Sequence, residues 1–302
     1  MENLIKQLRA EIQTAGGGKC LLWVDPAQWD PYEDDEIVGQ RRVRVPIIHV
    51  RFALRRAPYL VPLDLAVPGD AELFNGSVER AWDAWAIGRL RASRGQPICG
   101  WVVTNASAQT VANHWGRHCH LHGHQYKSKL LRFHDPGVRE WLWPTLNEAQ
   151  RHALLGPAAC LFALGRNQGL MRHASDSSDV TPAPFRLDDQ QWRQVGDYAT
   201  LHAAWVACAS ALAGPFCAQA VLDALVHATR AGVMQDSERE LYAMHALQLG
   251  TRFYTDVRMK PVWNHTRTGG YYGSAVEDVF GCSADELHLQ RGSHEEKTAW
   301  PT

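Results

Sequence analysis

Between His124 and Arg166 the chain reads HQYKSKLLRFHDPGVREWLWPTLNEAQRHALLGPAACLFALGR, and no other stretch limits its possible folds as tightly. Lys129 to Phe133 is a short apolar run that suits a strand, and Asp135-Pro136 marks its exit. The same two residues start a helix. Asp at the N-cap accepts hydrogen bonds from free first-turn N–H groups, and Pro at the first helical position gives up a donor that would have had no partner. Pro144 stops this short helix, which carries Trp141 and Trp143. Asn147 with Gln150 three residues on predicts the cap of a second short helix, closed by Gly156-Pro157 before the apolar run Ala158 to Leu164. The unit is strand, helix, helix, strand.

The remaining chain fits around that unit. Asn3 to Thr14 predicts an amphipathic helix ended by Gly16 to Gly18, followed by a strand over Cys20 to Val24 that turns out at Asp25-Pro26. Asp30 to Glu36 is acidic and Arg41 to Arg44 basic, which reads as a solvated excursion. Strands are expected over Val43 to Phe52 and Tyr59 to Leu65. A helix from about Ala71 to Ser93 would place Val78, Trp82, Trp85 and Leu90 along one side. Ile98 to Val103 is a further strand, and Asn105 or Ser107 caps a helix running to about His120. The fold class is therefore α/β or α+β, with a mixed sheet flanked by helices over residues 1–180.

A Ser/Asp/Pro-rich segment, HASDSSDVTPAPF, then separates this lobe from a region of consistent three- and four-residue apolar spacing. Asp188 with Gln191 and Ser237 with Glu240 read as capping boxes, and three helices over 188–255 make a small all-helical lobe. Residues 256–302 are expected to form an irregular C-terminal tail.

Composition excludes several function classes. A formal charge of −1 over 302 residues gives no electrostatic footprint for nucleic acid or an anionic membrane. With no charged-then-apolar start and no apolar run long enough to span a bilayer, a cytoplasmic location is expected. Seven cysteines, without a C-x-x-C pair, suit reduced, buried thiols. Twelve tryptophans exceed ordinary usage. Trp serves cores first and interface anchors second, so Trp82, Trp85, Trp141 and Trp143 are the candidates for partner contact.

No nucleophile elbow, phosphate-binding glycine loop or H-E-x-x-H motif is present, and no cofactor is expected. The strongest chemical candidate is HWGRHCHLHGH. There His114 and His118 lie at i, i+4 on one helix face, and His120 could supply a third zinc ligand from the following strand. No carboxylate stands nearby in sequence to act as a base. Arg132 and Asp135 form a second charged candidate; Asp135 has a structural task as cap, and Arg132 is expected to pair with it or with a helix carboxyl end.

The string LLRFHDPGVREWLWPTLNEAQRHALLGP resembles the central motif of the type VI secretion effector adaptors, also called effector chaperones. Three further segments are similar to the same family, in the same order: CLLWVDPAQ at Cys20 to Gln28, APYLVPL at Ala57 to Leu63, and HATRAGVMQDSERELYAMHALQLGTRFY in the C-terminal half. The resemblance implies that Asp25, Pro58, Tyr59, Arg132, Phe133, Asp135 and Pro136 are family motif positions with structural roles. It also implies a non-enzymatic adaptor that binds an effector protein in the cytoplasm and loads it onto the VgrG spike protein. A metal-dependent hydrolase built on the His114 to His124 cluster and an immunity protein that blocks a toxin are the alternatives.

Overall fold

In the computed structural model, which describes residues 1–27, 29–47, 53–92, 95–122, 128–175, 184–211, 218–250 and 253–284, the chain opens with a helix laid on a sheet. The elements of the first unit, Met1–Gly196, are α1 (Glu2–Gly16), β1 (Lys19–Val24), α2 (Glu36–Arg41), β2 (Val43–Arg44), β3 (Tyr59–Asp64), α3 (Pro68–Ala84), α4 (Ile87–Arg91) and β4 (Ile98–Thr104). They continue through α5 (Ala108–His118), β5 (His120–His122), β6 (Ser128–Leu130), α6 (Pro136–Leu142), α7 (Glu148–Leu155), β7 (Ala158–Leu164), β8 (Leu170–Ala174) and the start of α8 (Asp189–Ala211).

The main sheet has the order β2-β3-β1-β4-β7-β8, and β5 pairs with β6 in a separate ribbon. The sheet is antiparallel at every pairing instead of mixed. The reason is topological. β3 and β4, joined through α3 and α4, run parallel to each other, but β1 lies between them and opposes both. Covered faces explain why β1, β4 and β7 read as continuous apolar runs and not as alternations. On one face Leu21, Trp23, Leu60, Val102 and Leu161 join the α5 residues Val111, Ala112 and Trp115 in one buried cluster. On the other, Trp101 meets α3, its Nε1 donating to the buried Ser77 hydroxyl at 2.9 Å with Phe74 6.0 Å from its ring.

Local signals set the helix ends. Asp135 accepts from Gly137 N at 2.9 Å and Val138 N at 3.3 Å, and Asn147 with Gln150 forms a reciprocal capping box. Asp188 and Gln191 form another at α8. At Gly156, which ends α7 with φ 58°, a side chain would be strained by the backbone and would collide with the His114 ring. Three boundaries differ from the sequence expectation, the first being the strand over Lys129 to Phe133, which is β6 (Ser128–Leu130) and pairs, among the described residues, only with β5. The helix over 71–93 is split into α3 and α4 around Trp85, and β2 spans only Val43–Arg44, residues 48–52 of the expected longer strand lying outside the described residues.

The second unit, Asp197–Thr302, contains the rest of α8, α9 (Ala218–Arg230), α10 (Asp236–Leu249), α11 (Met259–Arg267) and α12 (Tyr272–Phe280). The segment expected to be an irregular tail is thus helical over much of 256–284, with residues 285–302 outside the described residues. Met259, Val262 and Thr266 bury one side of α11, and Tyr272, Ala275 and Val276 do the same in α12. The α10 cap also differs. The helix begins at Asp236, so Ser237 lies inside its first turn and Gln235 is the N-cap, without a side-chain bond. The core here is aromatic and polar together. The Ala284 carbonyl can only accept, so His245, 1% exposed, donates to it from Nε2 at 2.7 Å, and Nδ1 meets the Tyr272 hydroxyl at 2.8 Å.

Candidate functional site

Residues of two distant motifs meet at the end of β1. Asp25, where β1 turns out, is 6% exposed, and its Oδ2 lies 3.2 Å from Arg132 Nη2 and 3.3 Å from His134 Nε2. Its Oδ1 accepts from Ala27 N at 2.9 Å. Burial alone would push the Asp25 carboxyl up, but His134, Arg132 and the Ala27 N–H together outweigh it and hold the group below its usual value. Arg132 therefore pairs with Asp25, not with Asp135 or a helix end as its sequence neighbourhood suggests. Asp135 is already engaged by the first turn of α6.

Around this ion cluster the interior is packed with rings. Trp23 and Trp115 stack with centroids 4.0 Å apart, and Phe133 stands 5.4 Å from Trp23 and edge-on to Trp115 at 5.9 Å. Arg139, one turn into α6 and 1% exposed, sits 5.6 Å from the Trp23 ring. It donates to the carbonyls of Phe133 (2.9 Å), His134 (3.3 Å) and Cys99 (2.5 Å). These bonds tie the motif turn to β4. Burial lowers the Arg139 guanidinium to about 10. His134 and Arg139 were missed by the sequence reasoning, although His134 adjoins Phe133 and Arg139 follows the Asp135 cap by four residues.

The other motif positions also hold structure. Pro58, buried, accepts from Val45 N at 2.8 Å and prolongs the β2–β3 pairing. The Tyr59 hydroxyl donates to Asp30 Oδ1 at 2.6 Å, and the same oxygen accepts from Tyr32 N at 3.0 Å. Burial and then this bond to Asp30 raise the phenol. Arg41 forms a two-point pair with Asp70 at 2.5 and 2.9 Å and also donates to the Pro62 carbonyl. The acidic-then-basic segment is thus bound onto the β2–β3 edge by Asp30, Arg41 and Arg42, which corrects its reading as a solvated excursion. Phe133 and Pro136 are buried.

The four candidate tryptophans have different settings. Trp85 is 3% exposed and donates from Nε1 to Leu164 O at 2.9 Å, which removes it from the surface anchors. Trp82 is half-buried, and its carbonyl accepts from Gln168 at 3.1 Å. Trp141, half-buried, exchanges two bonds with Gln194, its Nε1 donating to the Gln194 carbonyl at 3.2 Å and its own carbonyl accepting at 2.8 Å. Trp143 packs edge-on to the buried His173 at 4.8 Å. Trp29, 40% exposed, was not among the candidates.

Within the histidine cluster, His114 and His118 are engaged with backbone. His114 donates from Nε2 to Ala153 O at 2.9 Å, His118 donates from Nδ1 to His114 O at 2.8 Å, and the two rings lie 4.3 Å apart. Burial, then the neighbouring His118, lowers His114 to about 4. The backbone of His120 and His122 lies in β5, while their side chains and all of His124 lie outside the described residues. Among the described residues no group of three His, Cys, Asp or Glu is placed to hold a metal ion. The buried thiols are likewise poor nucleophiles: burial raises Cys20 and Cys208 to about 12, and Cys99 and Cys119 rise as well.

Against known proteins, the family model of a domain of unknown function (DUF4123) matches residues 53–153. That span runs from the turn ahead of β3 into α7 and includes Tyr59, Arg132, Phe133 and Asp135. No curated protein and no solved structure matches the chain. Among the described residues no helix is long and apolar enough to cross a membrane.

Proposed function

We propose that this protein is a non-enzymatic adaptor that binds a type VI secretion effector in the cytoplasm and delivers it to the VgrG spike. The observation that carries the reading is the DUF4123 match over residues 53–153, a domain known in such adaptors, on a chain that also resembles them in four ordered motifs. The geometry supports it in one further respect. Asp25, buried, and Arg132, partly exposed, come from two of those motifs and form an ion pair, so both have an architectural use that needs no substrate. An adaptor holds its partners through surfaces, and buried motif residues would serve by keeping those surfaces rigid.

The test is affinity capture of the purified chain against the products of its neighbouring genes. A stable complex with an effector, and with the spike directly or through the effector, is expected. Capture of neither, with both partners folded, contradicts the reading. An effector that loses its toxicity in the complex and is never delivered would point to an immunity protein.

A further inference from the structure

At one end of the helical unit the turn between α9 and α10 lies beside the turn between α11 and α12, and the two enclose a cavity of about 370 Å³. The turns are fastened to each other. The buried Thr266 hydroxyl donates to Ala231 O at 2.7 Å, and Gly232 (φ 89°) lies so close to the backbone of Thr266 and Arg267 that a Cβ there would stand only 3.1 Å from it. Glu238 at the start of α10 accepts from Gly273 N of α12 at 2.7 Å. The cavity is therefore preformed, which lowers the ordering cost of filling it.

Its lining pairs apolar anchors with positive charge. Met234 is 70% exposed and Tyr271 55% exposed, each a large side chain left in water beside a concavity. Arg230 and Arg267 also line it, and among the described residues neither guanidinium is ion-paired. Glu238 also lines the cavity and keeps its charge while accepting from Gly273 N, so the two guanidinium groups leave a net formal charge of +1. Arg and Tyr are the residue types that dominate interface energies, and two unpaired guanidinium groups call for carboxylates. A nucleic acid fits poorly, since the chain as a whole carries a formal charge of −1.

We infer that this cavity is a docking site for a peptide segment of a protein partner, one that carries a carboxylate next to a large apolar side chain. The apolar side chain fills the space between Met234 and Tyr271 while the carboxylate bridges Arg230 and Arg267. The inference rests on the adaptor reading only for the owner of the segment, which is the effector.

The test pans a library of displayed random peptides, about twelve residues long, on the full chain. The double variant Arg230→Glu/Arg267→Glu serves as counter-target. Enrichment of Asp or Glu beside Trp, Phe, Leu or Met is expected, with synthetic copies of the selected peptides bound at least about tenfold more weakly by the double variant and by Met234→Asp. Circular dichroism melts should show that both variants stay folded. No enrichment over the counter-target, selection of basic peptides, tighter binding of a single-stranded oligonucleotide than of any peptide, or self-association of the chain lost in the double variant would each overturn the inference. Effector capture keeps the two proposals apart. Equal retention by the wild-type chain and the double variant sinks the docking site and leaves the adaptor standing, whereas no capture by either sinks the adaptor while the panning still decides the cavity.

Discussion

Asp25 shows how a residue with the look of a catalytic carboxylate is explained by packing. Its oxygens are taken by Arg132, His134 and Ala27 N, and the surrounding rings leave it 6% exposed. Removing the buried Asp25 carboxylate forfeits its bonds to Ala27 N and to Arg132, which is itself 43% exposed and can return to water, at a cost of about 2 kcal/mol. Asp25→Ala is therefore expected to lower the free energy of unfolding in urea by about that amount, and an unchanged denaturation midpoint would contradict the cluster's role. Acidity should act in the same direction. Histidines with lowered folded values, His114 at about 4 against an ordinary 6.5, bind protons more readily when unfolded. Their contribution is present above about pH 6.5 and is lost as pH falls toward 4; the depressed carboxyl of Asp25 adds a further loss at still lower pH. Urea midpoints should fall steadily between about pH 7 and pH 4.5, and less steeply in His114→Asn. A midpoint that rose on acidification would refute the sign.

At the level of the element, caps decide where helices begin. Asp135→Ala should cost about 1 kcal/mol through the two lost first-turn bonds of α6, read by thermal or urea denaturation, with partner capture retained. Full stability together with lost capture would make Asp135 a contact residue instead. Caps and apolar runs made most elements of the first unit readable in advance, because Asp135, Asn147 and Ser107 act through neighbours a few residues away. What lies far apart was not readable. Arg132 and Asp25 are separated by 107 positions, so no local pattern announces their pairing. The insertion of β1 between β3 and β4, which turns an expected mixed sheet antiparallel, is likewise a property of tertiary order. In the second unit α11 and α12 are each nine residues long and flank Gly269-Gly270, so their short apolar stripes were masked by a strong turn signal. The cavity beside Met234 depends on two turns that adjoin only after folding.

For the whole molecule, the motif positions Asp25, Pro58, Tyr59, Phe133 and Pro136 are buried, whereas Trp29, Met234 and Tyr271, among the exposed large apolar groups, were not nominated by the sequence as anchors, although Met234 falls in the fourth adaptor-like segment. A tryptophan's type alone does not tell core from surface, which is why a partner surface could not be read from Trp82, Trp85, Trp141 or Trp143. Sedimentation of the purified chain with the products of its neighbouring genes tests the central claim, the proposed adaptor function, most directly. The account predicts a complex that contains the effector, and the spike directly or through it, with no change in the covalent structure of either partner. Independent sedimentation of the three folded proteins, or turnover of a partner by the chain, would contradict it.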